Sequence, residues 1–149
     1  MKKILDFMAE DHYRLNGVLK EFQSTWEQNR RKARDLFADF AAGLQRHLAW
    51  EEEVLFPLIE CRTGMHLPGP SVTMRVEHQQ LKTLLATLQE EIRREGKGLP
   101  VSTEGLIERF SLHGKREEEI LYPWIEMTLT EKERGEALRK MSEDPEGWQ

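Results

Sequence analysis

Cysteine is nearly absent from this chain. Cys61 is the one cysteine among 149 residues, so no internal disulfide forms and no cysteine-based metal motif exists. Long apolar runs are absent too; nothing approaches the ~20 residues that span a bilayer. Positive charge is in the minority, with 22 Lys and Arg against 27 Asp and Glu and a net charge of -5. That balance argues against a nucleic-acid backbone or an anionic membrane surface as the main partner. The opening MKKILDFMAEDH is too short in apolar residues and too charged for a signal peptide. Cytoplasm is therefore the expected location, and the length suits one domain over 1–149.

Glycine and proline gather in TGMHLPGPS (63–71) and EGKGLP (95–100), which read as loops. Elsewhere apolar residues recur every three or four positions. Leu5, Met8, His12, Leu15, Leu19, Phe22 and Trp26 form one stripe, and Phe37, Phe40, Leu44, His47, Glu51, Val54 and Leu58 a second. Met74, His78, Leu81, Leu85, Leu88 and Ile92 form a third, and Leu106, Phe110, His113, Glu117, Ile120, Trp124 and Met127 a fourth. The spacing predicts amphipathic helices over 4–27, 31–62, 71–95 and 103–128. Ser71 and Ser102 are the expected N-caps of the last two. Thr130 to Glu133 reads as a capping box opening a short fifth helix, with a frayed tail after it. The expected fold is an all-α, antiparallel up-down four-helix bundle. Pro57 and Pro123 fall inside two helices and should kink or end them.

One string is written twice. HLAWEEEVLFP starts at His47 and HGKREEEILYP at His113. His47 and His113, Glu51 and Glu117, and Pro57 and Pro123 are each 66 positions apart. The same offset joins His12 to His78, Met8 to Met74 and Asp11 to Glu77, so the chain reads as a duplicated helical hairpin. His66 has no counterpart. The repeat places His12, His47, Glu51, His78, His113 and Glu117 in core stripes. A buried imidazole without a partner costs roughly 2–7 kcal/mol, and a bare carboxylate costs far more. Six such groups in two matching sets point to a metal site. His and Glu at i and i+4 share one helix face. Imidazole with carboxylate suits iron, manganese or zinc, and the lack of sulfur disfavours copper(I). Two glutamates on facing helices could each bridge two ions, with two histidines completing each; which histidines pair is not readable from spacing.

On His12, HLAWE, His78 and HGKRE, the chain resembles the hemerythrin-like family, the His-His-Glu cation-binding domains. The resemblance covers about residues 4–128. It implies a four-helix bundle around two non-haem irons, carboxylate-bridged and carrying an oxo or hydroxo group. Members bind or sense oxygen, or handle nitric oxide, peroxide or iron. Oxygen carriers of the family have a further histidine four before the one on the third helix, where this chain has Met74, and a His-x-x-x-x-Asp on the fourth, where it has His113 and Glu117. The four-His, two-Glu set is similar to the iron-centre repair proteins, which also carry an N-terminal segment with paired cysteines that this chain lacks.

Four histidines leave both irons short of ligands, which favours reaction with O2, NO or peroxide over reversible carriage. The alternatives are an iron donor in iron–sulfur cluster repair, a reversible oxygen binder or sensor, and a peroxidase- or catalase-like enzyme. A reductase or iron-acceptor partner is not identifiable. No organic-substrate pocket or Ser/Cys nucleophile is evident. Met8 and Met74, one turn from His12 and His78, are expected as an apolar wall of the site. Glu52, Glu53, Glu118 and Glu119 are expected on solvated faces; Asp11 and Glu77 are expected at the surface, with service to a neighbouring helix as the alternative. Trp50 is expected in the core, Tyr13 near the site, and Cys61 as a buried or boundary residue.

Overall fold

The computed structural model describes residues 2–64, 69–94 and 96–143, and these are helical with no strand among them. His66 and the tail beyond residue 143 lie outside the described residues. The helices are α1 (Ile4–Thr25), α2 (Arg30–Ala49), α3 (Phe56–Thr63), α4 (Pro70–Arg93), α5 (Thr103–Arg116), α6 (Tyr122–Thr128) and α7 (Glu131–Ser142). Two π-helical segments, Trp50–Leu55 and Glu117–Leu121, join α2 to α3 and α5 to α6.

The π segments correct the expectation for the prolines. Neither helix path ends there. Pro57 and Pro123 have no N–H to give, and each follows a widened turn. The Phe56 N–H donates to the Glu51 carbonyl, and the Tyr122 N–H to the Glu117 carbonyl, five residues back. Each wide turn holds an extra residue, so the buried stripe slips by one. Ile120 and Met127, expected in the core, are exposed, while Leu121, Tyr122, Ile125 and Leu129 are buried. In the first half Leu55, Phe56 and Ile59 are buried and Leu58 is only partly so.

Capping also differs from expectation. Pro70 opens α4, after Gly69. Ser71 is buried, and its hydroxyl donates to Glu60 at 2.7 Å. Ser102 precedes α5 without capping it; its hydroxyl and N–H both donate to Glu91 of α4. The Thr130 capping box is present and opens α7 as expected.

Helix α1 packs on α2 and α5, and α4 packs on α5 and α2. The α1–α2 approach is close: a Cβ at Gly43 would lie 2.6 Å from Leu15 Cδ2. The core is in two parts. One gathers Leu15, Phe22, Phe37, Phe40, Leu85 and Phe110 with their neighbours. The other gathers Ile4, Met8, Trp50, Phe56, Met74, Tyr122 and Ile125, with Ala137 and Met141 of α7. In sequence, α1 and α4 run from the second part to the first, and α2 and α5 run back. The histidines lie on all four where the two parts meet. No helix among the described residues is long and apolar enough to cross a membrane.

Candidate metal centre

The junction between the two apolar parts is polar and buried. His12, His47, Glu51, His78, His113 and Glu117 are each at most 2% exposed. They come from α1, α2, the first π segment, α4, α5 and the second π segment. Donor atoms of Glu51, His78, His113 and Glu117 lie within 4.8 Å of one another, as do those of His12, His47 and Glu117. Glu117 belongs to both groups. The structure therefore brings together the six residues singled out from sequence, and divides the histidines as His12 with His47 and His78 with His113.

Each imidazole is held from behind by a carboxylate. His47 Nδ1 lies 2.8 Å from Asp11, His113 Nδ1 2.8 Å from Glu77, His78 Nδ1 2.7 Å from Glu52 and His12 Nδ1 2.8 Å from Glu118. An ionised carboxylate only accepts, so Nδ1 carries the hydrogen and Nε2 turns inward. The four pairs obey the 66-residue offset: Asp11 matches Glu77, and Glu52 matches Glu118. All four were expected at the surface, with service to a neighbouring helix the alternative for Asp11 and Glu77; each reaches a histidine on another helix. Asp11 is buried and the other three are partly so. Glu53 and Glu119 are exposed, as expected.

Cations hold three of these carboxylates in turn. Arg14 bonds Asp11, Lys82 bonds Glu52, and Arg116 pairs with Glu77. For Asp11, burial pushes the pKa up, but His47 and Arg14 outweigh it and the net shift is down. His78 and Lys82 bring Glu52 down to about 2.

Inside the ring of histidines the bonding is incomplete. His78 Nε2 is 3.0 Å from Glu51 Oε1, and His113 Nε2 is 3.1 Å from Glu117 Oε2. The separations suit hydrogen bonds but the directions do not, and all four atoms are buried without a hydrogen-bond partner. Orphaned buried acceptors of this kind are rare and costly. Donor atoms that face each other across about 3 Å fit a cation between them. Without one, protons must serve. Burial would lower the histidine pKa values, but Glu117 with Glu118 raises His12 to about 10, and Glu117 with Glu51 and Glu52 raises His78 to about 11. Burial and the neighbouring Glu117 charge push Glu51 up. Burial opposes ionisation of Glu117 as well, but His113 and the other partners hold it well below the carboxylate range.

One central group was not anticipated. The Tyr122 hydroxyl lies 2.8 Å from Glu51 Oε2 and 2.9 Å from Glu117 Oε1, with His12 Nε2 and His47 Nε2 each at 3.4 Å. An α-helical reading leaves Tyr122 off the stripe; the wide turn before it brings it in. Burial and the two glutamate charges push its pKa well above 10. Tyr13, expected near the site, is 84% exposed, and Cys61 is exposed. Trp50 is core, with its ring 5.0 Å from Phe7. Met8 and Met74 are buried in the second apolar part, one turn before His12 and His78. Gly114 makes room for His12: a Cβ there would stand 3.2 Å from His12 Nδ1.

The family model for the hemerythrin HHE cation binding domain matches residues 3–125. No curated protein and no solved structure matches the chain at a significant level.

Proposed function

Because this chain belongs to the hemerythrin HHE cation-binding family, we propose that the His/Glu cluster is a carboxylate-bridged di-iron centre that reacts with O2, NO or peroxide. We read the surrounding fold as a single domain, an up-down four-helix bundle made of two repeated hairpins and closed at one end by α7. The carrying observation is that Glu117 stands in both donor groups, one facing His12 and His47 and the other His78 and His113. A carboxylate with two oxygens aimed at two histidine pairs suits a bridge. The proposed ligands are His12, His47, Glu51, His78, His113 and Glu117. A pair of irons would supply Lewis acidity and electrons to a small ligand.

The chain's own residues do the rest. Asp11, Glu52, Glu77 and Glu118 fix the imidazole tautomers and raise their basicity. The two apolar parts exclude bulk water, with Met8 and Met74 as wall residues. In the metal-free site Tyr122 offers one O–H to Glu51 or Glu117. Four histidines support reaction over stable carriage, because neither ion is saturated by imidazole.

The test is to add peroxide, oxygen and nitric oxide separately to iron-loaded protein and follow its spectrum. Rapid consumption with return of the starting spectrum is expected for at least one of them. A stable, reversible oxygen adduct would mean a carrier or sensor. Iron lost to an apo acceptor, with no reaction toward any of the three, would mean a donor.

A further inference from the structure

The rings stacked on His12 and His78 differ by one oxygen atom. The 66-residue offset pairs Tyr122 with Phe56. The Phe56 ring stacks on His78 with centroids 5.5 Å apart at 25°, and the Tyr122 ring on His12 at 5.8 Å and 28°. The rings therefore occupy equivalent places on equivalent histidines. Only Tyr122 adds a hydroxyl, which lies 2.8 Å from Glu51 and 2.9 Å from Glu117 and stands beside both histidines of one group, His12 and His47, each at 3.4 Å.

A phenol has one proton, while four acceptor-capable atoms surround this oxygen. One O–H can satisfy Glu51 or Glu117 but not both, although each lies within 2.9 Å of it. The group of His12, His47 and Glu117 has three protein donors, one fewer than its counterpart of Glu51, His78, His113 and Glu117. The phenol oxygen is the fourth atom that the smaller group lacks.

We propose that Tyr122 binds as a phenolate to the ion held by His12, His47 and Glu117, so that the two ions are chemically unequal. The inference rests on the metal-binding reading above. On loading, the O–H bond is exchanged for an oxygen–metal bond and the proton leaves to solvent; no electron moves. The ion beside Phe56 has no such ligand.

Ferric iron bound to phenolate absorbs visible light, and resonance Raman excited in that band reports the ring modes of the ligand. The chain has two tyrosines, and the other, Tyr13, is exposed. Metal-free protein would be loaded with two equivalents of ferrous ion without oxygen, then oxidised in air. Wild type and Tyr13→Phe should both show coordinated-phenolate modes that shift with ring-deuterated tyrosine. Tyr122→Phe should keep its helicity and bound iron and lose those modes. Should Tyr122→Phe fail to fold, the Tyr13→Phe spectrum alone assigns the modes. Two bound irons without phenolate modes in wild type and Tyr13→Phe would overturn this inference and leave the metal reading standing. No bound iron in wild type would overturn both.

Discussion

Glu117 is the residue on which both donor groups depend, and its variants divide the account most sharply. Glu117→Ala should abolish binding of both ions. Glu51→Ala should remove the ion at His78 and His113 first, because Glu51 belongs to that group alone. Metal analysis after dialysis reads both outcomes. If Glu117→Ala retained full metal content, the shared-carboxylate assignment would be wrong. The outer carboxylates act through the histidines. Glu52→Gln keeps an acceptor near His78 but removes the charge, and should weaken metal binding by roughly 10–100-fold in chelator competition, with the fold intact. The repeat already contained this layer, since Asp11 and Glu77, and Glu52 and Glu118, obey its offset. Spacing favoured the surface for all four, because charged residues beside a core stripe usually face water, and because their partners lie on other helices.

At the level of elements, the wide turns decide what faces inward. Each contains a ligand-type glutamate and precedes a proline, so the helix continues with its core face slipped by one residue. An α-helical period therefore identifies His47, Glu51, His113 and Glu117 correctly and then fails, placing Ile120 and Met127 inside. The repeated prolines signalled a shared irregularity, but proline alone does not distinguish a kink from a π turn. Tyr122 was lost to that ambiguity. Helix α7 behaves more simply, because its start is set by a local capping box. Thr130→Ala should lower the melting temperature by roughly 2–4 °C, the shift that losing a cap worth about 1 kcal/mol causes in a chain of this size. Metal content should be unchanged, since Thr130 touches no site residue; a loss of metal would mean that α7 helps to hold the centre.

Across the whole molecule, a buried polar layer separates two apolar clusters, and something positive must hold it. In metal-free protein that role falls to protons on the histidines, whose folded pKa values of about 10 at His12 and about 11 at His78 exceed the ordinary 6.5. A raised pKa stabilises the fold fully below the unfolded value and ceases to do so as pH rises through the folded one. Metal-free protein should therefore lose stability between about pH 6.5 and pH 11, read by denaturant midpoints, while metal-loaded protein loses less. Loading at pH 7 should release protons, which calorimetry in buffers of different ionisation enthalpy measures; uptake, or no exchange, would contradict the protonated resting site. Much of this layer was legible from sequence, since all six inward groups break an otherwise apolar pattern twice over. The division of histidines into pairs was not, because it depends on which helices touch. The most direct test of the central claim is to count iron in protein purified in air after growth with ample iron, alongside its absorption spectrum. The account predicts two irons per chain with a near-ultraviolet oxo-to-iron band. Folded protein with zinc alone, or with no metal, would contradict it.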